Sequence, residues 1–165
     1  RKMRKNKLSG FWSCAVYAAV LGVMSFAAGR IVPKKWFHSD RFPFRCSEKE
    51  KKLYAALRVK DWQSKVPDMS RLFKRIMPAK RINADTLSDL PRMLQETCVA
   101  EATHSILSVL GLGCLWLWKG IGGVLFAAVY ILLGNVPFVI IQRYNRPRLQ
   151  KLMERRRRHE SGGAK

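Results

Sequence analysis

Apolar residues gather in three blocks, 10–32, 102–118 and 120–141, and polar and basic residues fill what lies between. A soluble domain interleaves the two classes at helix or strand period, so segregation on this scale points to lipid as the solvent. The first block carries no charge until Arg30 and is preceded by Arg1, Lys2, Arg4, Lys5 and Lys7. A bilayer core about 30 Å thick takes about 20 apolar residues of helix, which this block supplies. Two readings fit it: a retained spanning or anchoring helix, or a cleavable signal with Ser25, Ala27, Ala28 and Gly29 near its end. A chain opening on Arg1 rather than Met fits a trimmed, processed or incomplete start. The second and third blocks, 17 and 22 residues long, meet at Lys119-Gly120. So brief a connection predicts an antiparallel helical hairpin whose outer ends face the same side. Gly111, Gly113, Gly122, Gly123, Ala127, Ala128 and Gly134 let its helices approach closely, because packing drives helix association in lipid. Trp116 and Trp118 fall at the turn, where amphipathic aromatics favour the headgroup level.

The expected fold is therefore an all-α integral membrane protein with about three hydrophobic helices, the N-terminal segment plus a C-terminal hairpin. At 165 residues it reads as a single membrane domain. Its parts are a hydrophobic helix or signal anchor at 10–32, a basic amphipathic interfacial region at 33–95, the hairpin at 96–141 and a basic tail at 142–165. Within the basic region Leu53, Tyr54 and Leu57 recur at helical spacing, as do Leu72, Phe73, Ile76 and Met77 before Pro78. Basic amphipathic helices of this kind lie in the interface and gain from anionic lipid; a small soluble cap packed on its own apolar faces fits the same pattern. The formal charge is +21, from 32 Lys+Arg against 11 Asp+Glu. Residues 30–101 carry 17 Lys+Arg and 9 Asp+Glu, and the tail 9 and 2, so both belong on the cytoplasmic side of a cell membrane by the positive-inside tendency. The basic N-terminus then lies outside if the first block spans once. The charge does not imply nucleic acid, since no RNP, zinc-finger or helix-turn-helix pattern accompanies it. Cys14, Cys46, Cys98 and Cys114 show neither a C-x-x-C pair nor a His at zinc spacing, so neither a disulfide framework nor a metal site is expected.

Polar residues at membrane depth carry the chemistry. A long helix begins near Ser88 or Asp89 and runs into the second block, with Pro91 tolerated in its first turn. Along it Glu101 and His104 lie about 60° apart and Glu96 about 80° from His104, so one wedge holds all three, continued by Ser105 and Ser108. Ionisable groups in lipid cost roughly 2.5 kcal/mol or more and default to a functional reading. In the third block Asn135 precedes Pro137, which breaks a helix hydrogen bond and can bend the helix. Gln142, Arg143, Asn145, Arg146 and Arg148 follow, with Pro147 ending or kinking the helix. Arginines this close clamp phosphates bidentately, and the hairpin brings them to the same side as Glu96, Glu101 and His104.

These stretches resemble the glycosyl-4,4'-diaponeurosporenoate acyltransferase family of staphyloxanthin-type carotenoid biosynthesis. The matching residues are Glu96-Thr97, Ala100-Glu101 and His104, then Asn135-Val136-Pro137, then 142–149. Gly29-Arg30-Ile31, Trp36-Phe37, Phe42-Pro43-Phe44 and Arg58-Val59-Lys60-Asp61-Trp62 also fit, so the likeness covers most of 28–150. Cys98 and Val99 depart from the family's usual polar or basic residues, which speaks against a cysteine nucleophile. The resemblance implies transfer of a fatty acyl group to the sugar 6-hydroxyl of a glycosylated carotenoid acid or related glycolipid; acyl-CoA is the expected co-substrate, with another acyl carrier as the alternative, and no other cofactor is expected. Under it His104 is the general base, Glu101 orients the imidazole, and Glu96 completes the catalytic group. Asn135 or Gln142 donates to the oxyanion, while Arg143, Arg146 and Arg148, with Asn145, bind the donor. The H-x-x-x-x-D motif of glycerolipid acyltransferases is absent, because Val109 stands five residues after His104. His38 and His159 lack any such context. Two other classes stay open: a membrane methyltransferase or reductase using the arginines for a nucleotide cofactor, and a non-enzymatic binder of anionic lipid.

Overall fold

The computed structural model describes residues 2–66 and 90–162. Among them all regular structure is helical and no strand occurs. The helices are α1 (Lys2–Ile31), a short 3-10 turn (Lys34–Trp36), α2 (Glu48–Ala56), α3 (Val59–Trp62), α4 (Leu90–Gly111), α5 (Cys114–Leu117), α6 (Ile121–Leu132) and α7 (Val136–Gly162). Three stretches are long and apolar enough to cross a membrane: Leu8–Ile31, Leu90–Leu117 and Ile121–His159. Their large side chains stay outside. Phe11, Trp12, Val16, Val20, Val23 and Met24 on α1, and Val124, Leu125, Val129 and Leu132 on α6, are all exposed. Apolar surface of that extent is costly in water and neutral in hydrocarbon. Residues 72–78 and the helix start at Ser88 or Asp89 lie outside the described residues; α4 is described from Leu90.

The chain divides into two units. The first combines the residues up to Pro33 with Val99–Val139. In it the hairpin is antiparallel: a Cβ on Gly111 would meet Tyr130, and His104 reaches Asn135. The reversal falls at Gly120, whose φ of +93° an L side chain rarely adopts. Each of the two hairpin blocks breaks once where a single helix was expected, while the first block is one unbroken helix. Gly113 N–H bonds back to Leu110 O at 2.9 Å, tightening the end of α4 before α5 begins. The third block splits at Leu133–Asn135 because Pro137 has no N–H for the Leu133 carbonyl; it sits instead in the first turn of α7, where none is needed. Helix α1 packs on α5 and α6 through small contacts. Cys14 Sγ lies 3.7 Å from Cys114 O, Tyr17 OH donates to Leu110 O at 2.9 Å, and both cysteines are buried. All four cysteines are free thiols. Of the two tryptophans at the turn, Trp116 is exposed, but the Trp118 ring fills the space that a side chain at Gly10 or Gly122 would need.

The second unit holds the described residues of Lys34–Cys98 and Ile140–Lys165. Helix α2 starts at a capping box: Ser47 Oγ accepts from Glu50 N at 3.2 Å and Glu50 Oε2 accepts from Ser47 N at 2.8 Å. Of its apolar stripe only Tyr54 is buried, while Leu53 and Leu57 are exposed. Arg58 at φ 50° turns the chain into α3, where Val59 is fully buried. Helix α7 does not end at Pro147 but runs through it to Gly162. A proline leaves the carbonyl four residues earlier without its helix donor, here Arg143 O. The Cys46 thiol donates to that oxygen at 3.2 Å and replaces the missing bond.

Candidate active site

In the first unit α4 presents His104 half-buried, and the turn before α7 presents Asn135, which is only 2% exposed. His104 Nδ1 and Asn135 Oδ1 lie 3.0 Å apart. Asn135 Nδ2 donates to Tyr130 O at 3.0 Å, which leaves its Oδ1 as the atom facing the ring. An acceptor at Nδ1 requires the proton there, so the neutral imidazole keeps its lone pair on Nε2. Phe138 stacks on the ring with centroids 4.6 Å apart and planes 9° from parallel, fixing the direction of Nε2. The same α4 turn is tied by Ser108 Oγ donating to His104 O at 2.8 Å. Glu101, one turn before His104, is buried at 6% exposure. An imidazole held in one tautomer and one orientation, with a carboxylate i−3 on its helix, can accept a proton from a hydroxyl.

In the second unit the arginines have protein partners. Arg143 Nε and Nη2 both donate to Glu50 Oε1, at 3.0 and 2.6 Å, and Nη1 donates to Pro43 O at 3.0 Å. Arg146 is 0% exposed. Its Nε and Nη2 donate to Thr97 Oγ1 and O at 3.0 and 3.1 Å, and Nη1 to Phe44 O at 2.6 Å. Thr97 can accept because its own hydroxyl proton goes to Leu94 O at 2.7 Å. These two guanidiniums fasten the 43–46 loop and α2 to α7. Arg148 is exposed, with its guanidinium 4.0 Å from the centre of the Tyr144 ring. Gln142 and Asn145 are half-buried. Glu96 pairs with Lys34 Nζ at 2.6 Å and Arg92 Nε at 3.4 Å.

Burial alone would raise the Glu50 carboxyl, but the Ser47 backbone N–H and the Arg143 guanidinium outweigh it and hold it below the usual carboxylate range. A depressed folded-state value contributes stability above the unfolded pKa, lost as pH falls through the folded one. Stability to thermal unfolding in detergent should therefore weaken as pH falls below the ordinary glutamate pKa of about 4.3. Glu50→Gln should flatten part of that slope; a slope identical to wild type would show that the Arg143 pairing adds nothing.

Periodicity found His104 and proximity to Pro137 found Asn135, but their direct pairing escaped it. Phe138 was also missed, although it follows Asn135 by three residues and so shares its side of the helix. Glu50 was missed because its partner lies 93 residues away.

The chain is 28% identical over 158 residues to the glycosyl-4,4'-diaponeurosporenoate acyltransferase of Staphylococcus aureus strain MRSA252, covering 92% of this chain and 93% of that protein. The proteins of the same name from strains bovine RF122 / ET3-1 and N315 match to the same extent. No solved structure matches. A family profile of glycosyl-4,4'-diaponeurosporenoate acyltransferases matches residues 33–155, a span that takes in His104, Asn135, Arg143 and Arg146, and the chain belongs to that family.

Proposed function

We propose that this protein is a membrane acyltransferase that moves a fatty acyl group from an acyl-CoA donor to the sugar 6-hydroxyl of a glycosylated carotenoid acid or a related glycolipid. The observation that carries the proposal is the fixed imidazole: His104 with Nδ1 facing Asn135 Oδ1, its ring stacked on Phe138. As the sugar oxygen attacks the thioester carbonyl, His104 Nε2 takes its proton; the tetrahedral intermediate then expels the CoA thiolate, and His104 returns the proton to that sulfur. Asn135 acts as the positioning residue for the base. Buried Glu101 places its carboxyl group one helical turn from an imidazole that becomes positive during the step. Glu96 supports the α4 N-terminal turns through Lys34 and Arg92, and Arg143 and Arg146 position the loops they hold. The basic segment from Lys34 and the α7 tail face the cytoplasm, where acyl-CoA is found.

Purified protein in detergent, given radiolabelled acyl-CoA and a glycosylated carotenoid acid, should yield an esterified product whose label lies in the acyl chain. No ester from this acceptor or from other glycolipids would reject the proposal.

A further inference from the structure

The loop from Lys34 to Cys46 is tied down on one side and open on the other. Lys34 pairs with Glu96 at 2.6 Å, Ser39 O and Oγ accept from Gln150 Nε2 at 3.4 and 3.3 Å, Phe44 O accepts from Arg146, and Pro43 O accepts from Arg143. Turn bonds from Phe44 N and Arg45 N to Arg41 O, both 2.9 Å, brace it internally. Between these anchors Lys35, Trp36, His38, Arg41 and Phe42 are exposed. Lys35, Trp36, His38, Arg41, Phe42 and Phe44 line an open cavity of about 460 Å³. Trp36 is 69% and Phe42 94% exposed. Among the described residues, neither the Lys35 ammonium nor the Arg41 guanidinium has a carboxylate partner. A segment held by four anchors loses little entropy on binding, so its exposed cations and rings are pre-organised for a ligand.

We propose that this cavity binds the phosphorylated nucleotide head of the acyl donor, the adenosine 3',5'-bisphosphate portion of coenzyme A. Lys35 and Arg41 take the phosphates, and Trp36 or Phe42 stacks on the base. The volume falls within the range of small-molecule sites. Cations alone fit any phosphate, and an anionic lipid headgroup shares that chemistry; the exposed aromatic faces favour a ligand that also carries a flat heterocycle. The identity of the donor rests on the acyltransferase reading, whereas nucleotide binding is measured without turnover.

The test uses the full chain in neutral detergent with adenosine 3',5'-bisphosphate as probe, and compares wild type with Arg41→Gln, Lys35→Gln and Trp36→Ala. These side chains are exposed, so the fold is left in place. The expected result is binding weakened about tenfold or more by each substitution, with KM for acyl-CoA raised in parallel and kcat little changed. Binding that ignores all three substitutions, or no binding at all, overturns the assignment even if ester is formed. Loss of attachment to phosphatidylglycerol vesicles in the variants, without any nucleotide binding by wild type, overturns it in favour of a headgroup site. Nucleotide binding with the expected losses but no ester from any acceptor upholds the cavity and removes the acyltransferase reading alone.

Discussion

His104→Gln lowers kcat for ester formation by about 10²–10⁴-fold, the range that a positioned general base contributes. Glutamine keeps a polar side chain near Asn135 and Phe138, so the protein should unfold in detergent at nearly the wild-type temperature. Asn135 separates positioning from simple packing. Asn135→Leu removes the acceptor at Nδ1 and lets the proton occupy Nε2, so a fraction of the imidazole is no longer basic where it must be. Its kcat should fall at least about tenfold with KM nearly unchanged, because an interaction with the base alone is lost. Asn135→Asp keeps an acceptor at Nδ1 and gives up only the donor to Tyr130 O, so it should recover most of the rate. Equal loss in both Asn135 variants would mean that the side chain matters for the turn before α7 rather than for the tautomer. Full activity in His104→Gln would remove the imidazole from the reaction.

What the sequence conveyed follows from the range of each interaction. The membrane stretches were legible because hydropathy is a sum over about 20 neighbouring residues. The wedge on α4 was legible because helical period fixes direction over a few turns. The direction of His104 was therefore expected, but its partner was not: Asn135 or Gln142 was expected to donate to the oxyanion, and the Asn135 amide is directed to Tyr130 O and its carbonyl to the ring. Nothing local distinguishes those two uses of one side chain. The arginines were harder still. Arg143 and Arg146 meet a carboxylate and carbonyls between 49 and 102 residues away, and backbone carbonyls carry no sequence signature. A positive cluster reads the same whether its donors face a ligand or the chain itself. Pro147 shows the same limit: a helix breaker by local rule, it is accommodated because Cys46 supplies a donor from 97 residues away.

Arg146→Met should cost about 3 kcal/mol or more of stability, among the largest losses expected from a single side chain. The substitution preserves volume and an apolar stem, so cavity formation contributes little. What it removes is three charge-assisted hydrogen bonds, leaving Thr97 O to lose its donor in a buried setting and Phe44 O in a part-buried one. Each orphaned acceptor costs about 1–3 kcal/mol. Arg146→Lys should not rescue it, because one ammonium cannot reproduce a planar fork aimed at Thr97 and Phe44 together. For a chain of this length the expected fall in unfolding temperature is roughly 6–12 °C. Arg148→Met, two residues on and exposed, removes the same charge without orphaning a buried acceptor and should change the unfolding temperature by no more than about 2 °C. If the two methionine variants unfold together, charge rather than geometry governs this part of α7. If Arg146→Met alone is unstable, its guanidinium is the fastening that holds the Phe44 loop in place. Because Phe44 lines the cavity, that variant should also weaken adenosine 3',5'-bisphosphate binding through a residue that is itself fully buried.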